Sequence, residues 1–327
     1  MRHMFGKILA AVSLLAATAA SAGPPAQDTV RLGNLKLAHF GAVSYIKEIA
    51  PQCGIRVEEK MFAKGLDVMQ AIIAGELDVG ATASEAAIQG RAGGAPVLVV
   101  AGFARGGARL VARPGLGIAG VAQLKGKKVG VTRGGIQEVL LMAELAKHRL
   151  SSDTSGRRDV QLVYLAYPDL NQALMGRHID AMMQSEPQSS QAINLGYGVE
   201  VLKPYDTPIG EPVRTMVMTE RFYRERRALA EKFMRCFVQA TRSFIERPAL
   251  AEQYVRGSMF KGQISSADFR DAMANSPYSY DISAQHIQVT TDVMAATGVG
   301  RMRRAPLAHE WVRTDLLAAA KKSLNIQ

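Results

Sequence analysis

The chain of 327 residues carries 40 Lys+Arg against 29 Asp+Glu, a formal charge of +11, with 48% hydrophobic residues and two cysteines. That apolar content sustains a large core and excludes a disordered tail, a collagen-like repeat and a disulfide-built miniprotein; at about 100–200 residues per domain, two domains are expected. Past the first twenty residues, the apolar run 95–104 is about half of the roughly 20 residues that a membrane-spanning helix needs.

At the N-terminus, Arg2 and Lys7 flank the start of the apolar stretch 8–20, and Ala20-Ser21-Ala22 has the small-x-small form read by signal peptidase. A secretory signal over 1–22 is expected, its removal lowering the net charge by two. Neither cysteine stands at the cleavage point, so a lipid anchor is not indicated. Export permits a Cys53–Cys236 bond, but one pair so far apart is weak grounds for it, and two buried free thiols are expected. Neither cysteine has a partner at metal-ligand spacing; no metal and no cofactor are expected. With 6% aromatics and no reader motif, nucleic acid is not an expected partner. The arginine groups at 221–227 and 301–304 read as solvated faces.

Along the chain, alternating patterns at 30–37 and 55–62 read as strands. Segments 41–50, 67–74 and 84–92 read as helices, the rhythm of a βαβ sheet. A continuous buried strand follows at 97–103, and 110–112 succeeds it across a Gly-Gly break. A second series then begins: strand 128–132, helix 136–150, strand 160–165, helix 170–176, strand 179–183. From Glu220 onward the chain reads as chiefly helical, with long amphipathic pieces at 228–246 and 283–297.

A repeat links the two series. Asp67, Gln70, Ala71, Ile72, Leu77 and Asp78 recur as Asp169, Gln172, Ala173, Leu174, Ile179 and Asp180, all at an offset of 102 residues. Each copy is a helix feeding a strand, so two lobes built alike are expected. The same offset pairs Thr82 with Gln184 and Ser84 with Glu186. Loops beyond the carboxyl ends of strands are where open α/β sheets bind ligands, so these four residues are expected to face a shared cleft. His39 and Phe40, after the first strand, and Arg133, Gly134, Gly135 and Ile136, after strand 128–132, open helices beside it. Free N–H groups and the helix dipole there suit an anionic group.

These residues resemble the periplasmic substrate-binding proteins of ABC importers, in the nitrate/sulfonate/taurine and thiamine-precursor group. The resemblance rests on LDVMQAIIAGELDVGATASEAAI at 66–88, VAQLKGKKVGV at 121–131 and the Glu186-Pro187 pair, and it extends over essentially the whole chain after the signal. It implies an α/β, two-lobed type II periplasmic-binding-protein fold, each lobe a mostly parallel sheet flanked by helices. Lobe one would comprise 23–105 plus 215–327 and lobe two 106–214, with crossings near Arg105 and Arg214. It also implies a monomer in the periplasm that closes on a small anionic or zwitterionic solute and delivers it to an ABC permease, with no catalysis of its own.

The expected contacts are His39 and Phe40 as a wall, Thr82 and Ser84 as hydroxyl donors, and Gly134, Gly135 and Ile136, with Arg133 beside them, as backbone anion holders. Gln184 and Glu186 come from the opposite lobe, and Arg109 and Arg214 are counter-charges. Gly135 replaces the Ser or Thr of many relatives, which speaks against a sulfonate. Glu186 is expected to attract an amine or N–H donor, and Phe40 to stack an aromatic carboxylate. The competing reading is an enzyme of the same fold in pyrimidine cofactor-precursor metabolism. The six histidines show no metal-binding or catalytic spacing, and Ser84 lies in no nucleophile elbow.

Overall fold

The computed structural model describes residues 28–326, so the expected signal at 1–22 lies outside the described residues. The chain lays down β1 (Thr29–Leu35), α1 (Gly41–Ile49), β2 (Arg56–Phe62), α2 (Gly65–Ile73), β3 (Val79–Ala83), α3 (Ser84–Ala92) and β4 (Val97–Arg105). It continues through β5 (Ala108–Ala112), β6 (Lys128–Val131), α4 (Ile136–Lys147), β7 (Ser152–Asp153), β8 (Val160–Tyr164), α5 (Tyr167–Met175), β9 (Ala181–Ser185), α6 (Gln188–Asn194) and β10 (Val199–Leu202). After β11 (Val213–Thr219) come α7 (Glu220–Glu225), α8 (Arg227–Glu246), α9 (Pro248–Tyr254), α10 (Ser266–Asn275), α11 (Ala284–Thr297) and α12 (Asp315–Ser323).

Two sheets result, ordered β2-β1-β3-β11-β4 and β10-β5-β9-β6-β8-β7. Within the first, every strand but β11 runs the same way; within the second, every strand but β5 does. Each exception is the strand by which the chain enters from the other sheet. Starting from β2 and from β8, the orders β2-β1-β3-β11-β4 and β8-β6-β9-β5-β10 are the same arrangement, with β7 an added edge.

The repeat seen in the sequence is this symmetry. Both ends of α2 and α5, and both ends of β3 and β9, stand 102 residues apart. Its aspartates explain their own recurrence. Asp78 N–H donates to the Arg31 carbonyl (2.9 Å) while its carboxylate accepts from Arg31 N–H (3.0 Å). Asp180 does the same with Lys128, at 2.8 and 2.9 Å. In each lobe an acid just before the central strand locks that strand to its parallel neighbour. These aspartates set register, and their side chains are spent on it.

The larger core lies in lobe one, where Val30, Leu32, Val79, Val99 and Val217 on the sheet meet Phe233 and Phe237 of α8 and Trp311, all fully buried. Lobe two packs Leu110, Val129, Leu141 and Met183 on one face and Val111, Leu170, Leu174 and Met182 on the other. Alternate residues of β5 and β9 thus feed both faces, as period-two geometry requires. Strands β10 and β11 escaped the sequence pattern. In β11 a buried Arg214 interrupts the apolar run of Val213–Thr219, which removes the usual signature of a central strand.

Contrary to the expectation of two free thiols, Cys53 and Cys236 are bonded, with Cα atoms 5.9 Å apart. The turn after α1 packs on α8 and brings the sulfurs together across 183 residues of chain. Reducing this bond, or replacing both cysteines by serine, is expected to lower unfolding stability by about 2–5 kcal/mol. Urea titration with and without reductant checks the loss, and thiol titration of the denatured, unreduced protein should find no free cysteine.

Candidate functional site

Between the sheets lies a set of buried polar atoms that lack a protein partner: both ring nitrogens of His39, the hydroxyls of Thr82, Ser84 and Thr132, Oε2 of Glu85 and Nε of Arg214. His39, Thr82 and Ser84 are fully buried, and Glu85 and Arg214 nearly so. The fold places His39, Ser84, Glu85 and Arg214 together. His39 sits in the short turn after β1, and Arg214 on β11 pairs with Ala83 at the end of β3, immediately before Ser84 and Glu85 open α3. Thr132 follows β6 in the other lobe, and the Thr82 hydroxyl faces Gly65 at the start of α2.

The crossing from β4 to β5 runs against this set. Gly106 and Gly107 hold φ of 65° and 77°, a region that side chains disfavour. A Cβ on Gly107 would fall 3.0 Å from Arg214 Nη2 and 3.2 Å from His39 Cε1. Arg214 Nη2 donates to the Gly106 and Gly107 carbonyls at 2.8 and 3.2 Å. From the lobe-two side, Tyr167 donates to Gln137 Oε1 (2.5 Å), and Gln137 Nε2 reaches the Gly107 carbonyl (3.4 Å).

Burial dominates the ionisation of this cluster. It pushes Glu85 up to about 7, opposed by the Arg214 charge and by the backbone N–H groups of Glu85, Ile136 and Ala86. Burial, with Arg214 nearby, holds His39 well below its ordinary range, so the imidazole is neutral. Arg214 is itself lowered by burial and supported by Glu85. Among the described residues, no group of three His, Cys, Asp or Glu side chains is placed to hold a metal ion.

Several expected contacts turn out to be structural. Glu186 is fully buried against Arg109, with Nε 2.7 Å from Oε1, a charge contact lacking aligned hydrogen-bond geometry. Ser190 Oγ (2.7 Å) and Asn275 Nδ2 (2.9 Å) complete its shell. Arg109 also meets Glu200 (2.9 Å) and Asp271 (3.0 Å). This pair therefore ties β5 and β9 of lobe two to α10 of lobe one, and neither residue is left for a solute. The offset of 102 breaks here because α3 begins at Ser84 whereas α6 begins only at Gln188.

Gln184 is likewise consumed: Nε2 donates to the Tyr167 carbonyl (3.0 Å) and Asn171 Oδ1 (3.1 Å), and Oε1 accepts from Ser185 N–H (2.8 Å). Phe40 belongs to the lobe-one core, its ring 4.7 Å from that of Phe103, and is not an open wall. Arg133 is exposed and stacks on Tyr164 at 3.9 Å. The expected anion loop is met by the chain's own carboxylates. Gly134 N–H donates to Glu138 (2.5 Å), Gly135 N–H to the Thr132 carbonyl (3.3 Å), and the Ile136 N–H faces Glu85.

The structure thus gathers His39, Ser84, Arg214 and the Ile136 amide, and places Phe40, Thr82, Arg109, Arg133, Gly134, Gln184 and Glu186 among other partners. Sequence reasoning missed Glu85 and Thr132. An acid in the first turn of a helix is ordinary for the helix dipole, so Glu85 carried no distinguishing signal. Two crevices, of about 420 and 570 Å³, are lined from both lobes, the second rimmed by Lys64, Arg133 and Arg301. A larger cavity of about 870 Å³, lined by Arg105, Glu211, Tyr280 and Lys321 among others, lies beside the crossings and shares no residue with the cluster.

Two sheets of matching order, two crossings and a polar cluster enclosed between them define a two-lobed α/β binding fold. The chain belongs to the NMT1-like family, whose model matches residues 23–256. Sequence comparison finds no match among curated proteins. Among solved structures it is similar to the alkanesulfonate-binding protein SsuA from Xanthomonas axonopodis pv. citri bound to MOPS. That match has 19% identity, covers 88% of this chain and 98% of that one, and has a TM-score of 0.73. It is also similar to the periplasmic nitrate-binding protein NrtA from Synechocystis PCC 6803, at 15% identity, 91% and 89% coverage and a TM-score of 0.70. A third likeness is the Candida albicans CA3427 gene product, at 12% identity, 91% and 96% coverage and a TM-score of 0.67.

Arg109→Met is expected to strand Glu186 without its cation and to lower stability by about 3–5 kcal/mol, measured by urea unfolding. Glu85 binds its proton more tightly folded than unfolded, so the stability it contributes is complete below the unfolded carboxyl range and is lost as pH rises through about 7. Glu85→Gln should therefore gain on the wild type with rising pH, by about 3 kcal/mol between pH 4.5 and 7.5. Unfolding of both proteins across that range tests it, and the comparison cancels the opposite contribution of neutral His39.

Proposed function

We propose that this chain is the solute-binding subunit of an ABC import system, closing its two lobes on a small polar organic solute in the periplasm and presenting it to a membrane permease. One observation carries the reading: a cluster of buried, unpartnered polar atoms of lobe one, faced by the Ile136 amide and Tyr167 of lobe two. Unsatisfied buried polar groups cost about 1–3 kcal/mol each, so a cluster of them is sustained by a ligand that pairs with them. The likeness to SsuA and NrtA, described as binding proteins, supports the same reading.

Lobe one takes in 28–105 and the chain from β11 onward, lobe two 108–202, and the two crossings form the hinge. The Arg109–Glu186–Asp271 group and the bond from Gln89 Nε2 to the Gly134 carbonyl (2.9 Å) hold the lobes in the closed arrangement. The chain acts as a monomer and carries out no chemistry. His39 is hydrogen-bonded to neither Ser84 nor Thr82, the pairing that activates a hydroxyl nucleophile.

The purified protein, screened against amino acids, sulfonates, pyrimidines and aromatic carboxylates, is expected to show a ligand-dependent rise in Tm with no product formed. Small-angle scattering should report a compaction with the same ligand. Turnover of the hit, or a Tm that no member of the panel moves, would overturn the reading.

A further inference from the structure

Glu85 stands at the start of α4, a helix of 12 residues in the opposite lobe, where the end N–H groups and the dipole favour negative charge. Its carboxylate faces the Ile136 amide, and Glu138 takes the Gly134 amide. An incoming anion at this loop meets two carboxylates in place of free N–H groups.

The unpartnered atoms that remain are chemically asymmetric. Oε2 of Glu85 accepts when ionised, Nε–H of Arg214 only donates, and the three hydroxyls and neutral His39 do either. The charged groups of the cluster are one carboxyl and one guanidinium. Glu85 is faced by Arg214 on β11, by Tyr167 on α5 and by the α4 amide, while His39, in the turn before α1, faces Arg214. Above about pH 7, where Glu85 is ionised, the two charges cancel, a plain anion enclosed here would lack a compensating cation, and burying an unpaired charge is costly. A solute with an N–H donor at one end and an acidic acceptor at the other completes both.

We propose that Glu85 is the specificity-determining residue of this site, selecting an amine-bearing solute of zero net charge whose ammonium group meets Glu85 and whose acid group meets Arg214. The inference rests on the solute-binding reading and adds to it the charge class of the solute.

Matched pairs that differ by the amine test it: β-alanine against propionate, and taurine against ethanesulfonate, titrated calorimetrically into wild type and Glu85→Gln. In the wild type the amine member of at least one pair is expected to bind tenfold or more tightly than its partner, and Glu85→Gln is expected to erase that preference. A second readout needs no variant: affinity for the amine probe should rise from pH 6 to pH 8 as Glu85 ionises. Equal or tighter binding of the amine-free anion by the wild type, or a preference that survives in Glu85→Gln, would overturn the inference and leave the transport reading standing. Failure of the wild type to bind any of the four probes or any member of the wider panel would count against both.

Discussion

Arg214 is a guanidinium buried almost completely near the start of an interior strand, and a charge so placed has to be compensated by its surroundings. One nitrogen is met by the carbonyls of Gly106 and Gly107, which is why the crossing between lobes passes where it does and why two residues without Cβ form it. Its charge is balanced by Glu85, on the helix that begins one strand away. His39 is kept neutral partly by the same charge. Crossing, sheet and polar cluster are therefore one electrostatic arrangement, and moving any part leaves another buried group uncompensated.

The second ion group, Arg109 with Glu186, Glu200 and Asp271, has a different character. It joins the lobes on carboxylates that differ in exposure, from fully buried Glu186 to Glu200 and Asp271, each more than a third exposed. An arginine with several alternative partners tolerates relative motion better than one with a single geometry. A contact next to a hinge has to meet that requirement: closure and reopening need small shifts without stranding a charge. Arg214, by contrast, is tied to the crossing itself.

Much of the fold was legible in the sequence because duplication leaves a fixed offset. Asp78 and Asp180 recur because the same strand-locking geometry recurs, and helix and strand boundaries followed apolar periodicity closely. The site was less legible for a physical reason. A buried polar residue with structural partners and one without look alike in sequence, so Glu186 and Gln184 read as ligand contacts and Glu85 drew no reading at all. Only the partner inventory separates them. Cys53 and Cys236, far apart along the chain, gave no sign of the packing of α1 on α8 that brings them together.

The symmetry between lobes also bears on where the proposed selectivity lies. Both lobes deliver a helix start to the interface, after β3 and after β6, and a helix start by itself favours an anion. This chain places Glu85 at the first of these, reaching the second, and so converts two positive dipole ends into a shared acceptor. The same two-lobed frame is found in proteins described as binding alkanesulfonate and nitrate, anions of different size and shape, so the frame alone does not select the solute. In the proposed site that selection falls to side chains at the helix starts, where a single carboxyl, held between Arg214 and the Ile136 amide, would set the charge of the solute accepted.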